Sequence, residues 1–123
     1  MDGAAKIKSR KFSLRAINLY KYLTKEKREF VLSKQFLRSA TSIGANLAEA
    51  ECAISERDFL SKIYVALKES NETIYWLDIL LDGEYINEKQ HQSMVKDCEE
   101  LKRIFMATTR TLSSKINVKI YKK

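Results

Sequence analysis

"SATSIGANLAEAE", residues 39–51, is the stretch on which the fold turns. Wound at about 100° per residue, it places Ala40, Gly44 and Ala48 in one line of small residues, flanked by Phe36, Ile43 and Leu47. A glycine inside a helix costs about 1 kcal/mol against alanine. The chain holds only three glycines and no proline, so one set in mid-helix asks for a reason. A ridge of small side chains lets a neighbouring backbone approach closely, and the dispersion attraction of that close approach can offset the glycine cost. The stretch therefore predicts a helix packed tightly on another helix. The rival reading, a ligand groove over Gly44, lacks any phosphate-cradling glycine pattern around it.

Outward from this helix, the chain of 123 residues fits one domain spanning 1–123. A chain of this size buries about two-thirds of its unfolded surface. Hydrophobic content of 45% beside 32% charge excludes a disordered chain. So little glycine and no proline argue against a loop-rich or all-β fold. No apolar run approaches the ~20 residues of a membrane span. The opening "MDGAAKIKSRKF" lacks the apolar core of a secretory signal, so a cytoplasmic protein is expected. Cys52 and Cys98 fall in helical patterns, lack metal-binding spacing and read as reduced, packed thiols.

Period and capping residues outline four helices. The first covers about 9–25, with Phe12, Ala16, Leu19, Tyr20 and Leu23 on one face. The second covers 34–54, with Ser33 as N-cap and Leu32 with Leu37 as a hydrophobic staple. The third, 56–82, opens on a capping-box pattern at Ser55 and Asp58 and stops at Gly83. The fourth, 88–113, opens on Asn87 with Gln90 three residues later. Its stripe of Met94, Cys98, Leu101, Phe105, Thr108 and Leu112 alternates spacings of four and three, the seam of bundle packing. Residues 114–123 read as a flexible or extended basic tail. The predicted fold is all-α, an up-down-up-down antiparallel four-helix bundle.

"SKQFLRSATSIGANLAEAE" and "DFLSKIYVALKESNETIYWLDIL" resemble the four-helix-bundle family encoded in intervening sequences of bacterial 23S ribosomal RNA genes. The likeness runs from about residue 12 to 112. Its most specific parts are residues 42–50, Ala66-Leu67-Lys68-Glu69 and Tyr75-Trp76-Leu77. The resemblance implies a bundle that assembles as a ring, typically a homopentamer. It is also similar in fold to the accessory proteins of diversity-generating retroelements, basic rings that bind nucleic acid and a reverse transcriptase. It brings no catalytic residue, and nothing carries over to the tail.

Net charge is +7, unevenly placed. Residues 1–40 hold eleven Lys/Arg against three Asp/Glu, residues 41–100 five against thirteen, and residues 101–123 seven against none. Such patterning predicts two electrostatic surfaces. In a simple bundle the first and last helices are neighbours, so Lys8, Lys11 and Arg15 can merge with Lys102, Arg103, Arg110 and Lys115 into one phosphate-binding face. The alternative is a solvated basic face that keeps the protein soluble. Nothing resembles a helix-turn-helix, an RNA-recognition motif or a zinc finger.

Catalysis finds no constellation. His91 is the only histidine, and the residues imply no cofactor, no metal and no catalytic site. Glu51 falls in the apolar stripe near a helix end, with Lys11 or Arg15 as its expected partner. The expected function is a non-enzymatic, nucleic-acid-binding ring with RNA as target. The alternative is a scaffold holding another protein, such as a polymerase or nuclease, without touching nucleic acid. The ring contact is read from surplus apolar surface. Val65, Trp76 and Ile79, with Glu69 and Glu72, are expected opposite the core on helix 3, and Leu14 and Ile17 away from the core on helix 1. Unlike, complementary patches favour head-to-tail contacts that close into a ring.

Overall fold

A computed structural model describes residues 3–121, with side chains through Asn117. Residues 1–2 and the last two positions of the tail, 122–123, lie outside the described residues. Four α-helices account for the described chain: α1 Gly3–Lys25, α2 Leu32–Ala50, α3 Glu56–Asp82 and α4 Glu88–Tyr121. Each packs on its neighbours in the cycle α1–α2–α3–α4–α1, and the diagonal pairs stay apart among the described residues. Contacts climb one helix as they descend the next. Lys6 meets Glu51 while Ser13 lies beside Gly44; Glu56 meets Lys115 while Asp78 meets His91. Neighbouring helices therefore run antiparallel.

The core is a column of large apolar side chains, including Phe12, Leu23, Phe36, Ile43, Ile63, Leu77, Leu101 and Phe105, all almost fully buried. Small polar groups are set into it. The Thr73 hydroxyl donates to Ser39 Oγ at 3.0 Å, and Ser39 in turn donates to the Phe36 carbonyl at 3.1 Å. No buried side-chain polar atom among the described residues lacks a partner. Burying hydroxyls without partners would cost about 1–3 kcal/mol each, so this layer holds only because it is closed on itself.

Helix ends depart from the sequence expectations in instructive ways. α1 begins at Gly3, not near residue 9, because Ala5 and Ser9 continue the buried face below Phe12. α2 is not capped by Ser33, which lies inside the helix and is fully buried. Glu29 takes the capping role: its carboxylate accepts from the backbone N–H of Val31 and Leu32 at 3.0 Å and of Ser33 at 2.6 Å. α2 stops at Ala50 instead of 54, and residues 51–55 form the turn into α3. Ser55 caps α3 as expected, accepting from Asp58 N–H at 3.0 Å. The Asn87–Gln90 capping box is reciprocal, at 2.9 and 2.8 Å. Gly83 ends α3, but the left-handed residue is Glu84, at φ 66°. Gly83 is small for another reason: a Cβ there would sit 3.1 Å from the Ile79 carbonyl.

The largest correction concerns residues 114–123. The expected tail is helical through Tyr121, the last described residue. Ile116 is buried, and Lys115 reaches Glu56 at the start of α3. The apolar alternation in "INVKIY" imitates a strand, but helix packing at one side chain decides the conformation.

Candidate functional site

Lys8, Lys11 and Arg15 lie three and four residues apart, hence on one side of α1, and that side faces α4. Lys8 pairs with Glu100. Arg15 pairs with Asp97 at 2.5 Å and donates to Ser93 Oγ at 2.7 Å. Lys11 lines the same small cleft as Lys8, Asp97 and Glu100. The sparsely packed α1–α4 seam is thus stitched by charge, each exposed pair contributing about 0–1 kcal/mol. A count along the chain missed this, because the partners come from its net-acidic middle.

On α4, Lys102 donates to Asn71 Oδ1 at 3.1 Å and Lys115 pairs with Glu56 at 3.4 Å. Arg103 and Arg110 stand on the outer face, exposed and without an ion pair among the described residues. Lys96, exposed and likewise unpaired, precedes Arg103 by seven residues and completes a stripe that sequence reading missed. The seven-residue repeat at 96, 103 and 110 was the available signal. Successive cations are about 10.5 Å apart along the axis. Beside Arg110 runs an open groove of about 480 Å³, bordered by exposed Tyr64 and Met106.

The expected subunit-contact residues divide as well. Leu14 is 56% exposed, Ile17 is half-buried, and Ile7, 58% exposed, extends their stripe on α1. Val65, Trp76 and Ile79 are all half-buried, and of the three Trp76 packs against the core. Trp76 packs on the core edge, and its indole N–H donates to the Glu72 carboxylate at 3.3 Å. Glu69 and Glu72 both pair with Arg38 of α2. The hydrogen bond from Arg38 holds the Glu72 carboxyl below its ordinary range. The acidic half of the expected patch is therefore already matched within the chain. The outermost aromatics of α3 are Tyr64 and Tyr75, and the Tyr75 ring meets Trp76 edge-on with centroids 5.0 Å apart.

Glu51 pairs with Lys6 at 3.4 Å, not with Lys11 or Arg15. His91 Nε2 lies 2.7 Å from Asp78 Oδ1. Cys98 is buried, donates to the Ser70 carbonyl at 3.3 Å, and its thiol is pushed up to about 12 by burial. Cys52 is exposed, contrary to the packed-thiol reading, because α2 ends two residues before it. Among the described residues no three His, Cys, Asp or Glu side chains converge as a metal site would. No described helix is long and apolar enough to cross a membrane.

Fold and surface together define a class: an all-α four-helix bundle whose distinguishing features are charged outer faces. The chain belongs to the 23S rRNA-intervening sequence protein family, which matches residues 3–107. It is similar to a protein of unknown function from the S23 ribosomal protein family of Bacteroides thetaiotaomicron, known from a crystal structure. The two are 49% identical with a TM-score of 0.88, over 89% of this chain and 97% of that one. No protein of curated function matches.

Proposed function

We propose that the protein is a non-enzymatic RNA-binding ring of the cytoplasm, built from five copies of the bundle, that holds RNA by its phosphates. The observation that carries this reading is the stripe of Lys96, Arg103 and Arg110 on the outer face of α4. Cations spent on internal acids cannot release counterions from RNA, and these three are free of such partners among the described residues. The family's association with ribosomal RNA genes supports RNA as the target. The exposed Ile7–Leu14 stripe supports the ring: it packs on the Tyr75–Trp76 edge of α3 in the next copy.

RNA binding measured at several salt concentrations tests the reading. Affinity should fall steeply with salt. Replacing Arg103 and Arg110 by alanine should reduce the log–log salt slope by about 1.4, for two phosphate contacts on a single strand. No RNA binding by the native protein even at low salt overturns the reading. A protein partner retained after nuclease treatment, with no RNA affinity, would favour a scaffold instead.

A further inference from the structure

The loop between α1 and α2, residues 26–31, is built unlike the other two turns. Glu29 is buried, and its carboxylate is absorbed by three N–H groups at the start of α2. The Glu29 N–H in turn donates to the Leu23 carbonyl at 2.9 Å, and Ser33 Oγ donates to the Glu29 carbonyl at 2.8 Å. This clamp holds Arg28 in the left-handed region, at φ 54°, a conformation costing a non-glycine residue about 1–2 kcal/mol. Its result is a fixed tip. Phe30 is 49% exposed with the Arg28 guanidinium 5.3 Å from its ring centroid, and Val31 is 70% exposed. The Lys27 ammonium lies 6.0 Å from the Tyr22 ring.

The charges at this tip are also free. Lys25, Lys27 and Arg28 have no ion pair among the described residues; against these three cations stands one exposed acid, Glu26, while Glu29 is turned inward. The turn between α3 and α4 at the same end carries Asp82, Glu84 and Glu88 against one cation, Lys89, all exposed. A polyanion is thus drawn to one side of this end and repelled from the other. An exposed aromatic ring among cations matches a single strand, whose bases offer π-faces and whose backbone offers phosphates. It does not match a paired duplex, where the bases are stacked on each other.

We propose that the α1–α2 loop is a contact for unpaired RNA, in which a base stacks on the open face of Phe30 while Lys25, Lys27 and Arg28 hold the flanking phosphates. This rests on the RNA-binding reading above, and adds a second contact chemically distinct from the α4 stripe. Stacking does not depend on counterion release, whereas phosphate contact does.

The test measures binding of oligouridine and of a blunt RNA duplex across a salt series, with mass and circular dichroism recorded for every variant. Phe30→Ala should weaken oligouridine binding roughly 5- to 150-fold with an unchanged salt slope, and leave duplex binding nearly untouched. Lys27→Ala and Arg28→Ala should each lower the slope by about 0.7. In a Trp76→Phe background, Phe30→Trp should show fluorescence quenched by oligouridine. Wild-type RNA binding with no effect of Phe30→Ala overturns the inference alone. Absence of any wild-type RNA binding overturns it together with the function above. A changed mass in Phe30→Ala would make the loop a subunit contact. Loss of binding to phosphatidylserine vesicles, with RNA affinity kept, would make it a membrane contact. Either result overturns the proposal.

Discussion

Glu29 caps α2 from three residues upstream, where patterns of serine and threonine would not look. Burial pushes its carboxyl up, yet the N–H groups of Leu32, Ser33 and Val31 outweigh that and hold it below the ordinary value of 4.5. The sign follows. A folded-state value below the unfolded one adds stability that is complete above the ordinary carboxylate range. That stability is lost as pH falls through the folded value. Glu29→Gln should cost about 1–2 kcal/mol at neutral pH, as a lost charged cap does, and should flatten the acid side of the stability curve. Urea unfolding from neutral to acidic pH checks both; parallel curves for the two proteins would remove Glu29 from the account. Gly44 answers its question differently. A Cβ there would lie 3.6 Å from the hydroxyls of Ser9 and Ser13, an ordinary contact. Packing within one chain therefore does not demand glycine. Gly44→Ala should raise stability by about 0.5–1 kcal/mol, moving the thermal midpoint up by about 2–8 °C. A lower midpoint would mean the groove needs its missing methyl.

Among the elements, α4 carries the sharpest consequence. Thr109 and Ile116 extend the buried face beyond Phe105, so the helix is docked well past residue 113. Ile116→Asp should destabilise the bundle by about 2 kcal/mol or more, since it trades a buried aliphatic for a charge. Chemical denaturation measures it; a loss under about 0.5 kcal/mol, the range of surface substitutions, would describe a loose tail instead. A docked α4 also holds Arg110 and Lys115 on a rigid rod, so its charges keep fixed spacing. The α1–α4 seam is the most open of the four, and the exposed pairs Lys8–Glu100 and Arg15–Asp97 bridge it. Its contribution should weaken with salt, because exposed pairs are screened.

For the whole molecule, the exposed α1 stripe is the feature that an isolated bundle leaves unexplained. Leu14→Glu alters a side chain that is 56% exposed, so the fold should survive. Light scattering should then show the proposed ring reduced to single subunits, and Trp76→Glu should act in the same direction. Folded variants that both keep the native mass would exclude this ring contact. The charge distribution bears on the same question. Glu69 and Glu72 are satisfied by Arg38, so in the proposed ring apolar and aromatic surface, more than ion pairing, has to drive association.

Much of this was legible in the sequence. Helix number, the buried face of α1, and the Ser55 and Asn87 caps follow from period and local chemistry, because each depends on residues within one or two turns. Family membership was legible too, in residues 42–50 and in the Tyr75-Trp76-Leu77 run. The tertiary structure alone decided what depends on distant partners. It buried Ser39 against Thr73, ordered α4 past residue 113 around Ile116, and turned Trp76 onto its own core. It also sorted the cations, joining Lys8 and Arg15 to acids some eighty to ninety residues away and leaving Lys96, Arg103 and Arg110 facing solvent. Charge acts through space, so which lysines and arginines remain free cannot be read along the chain.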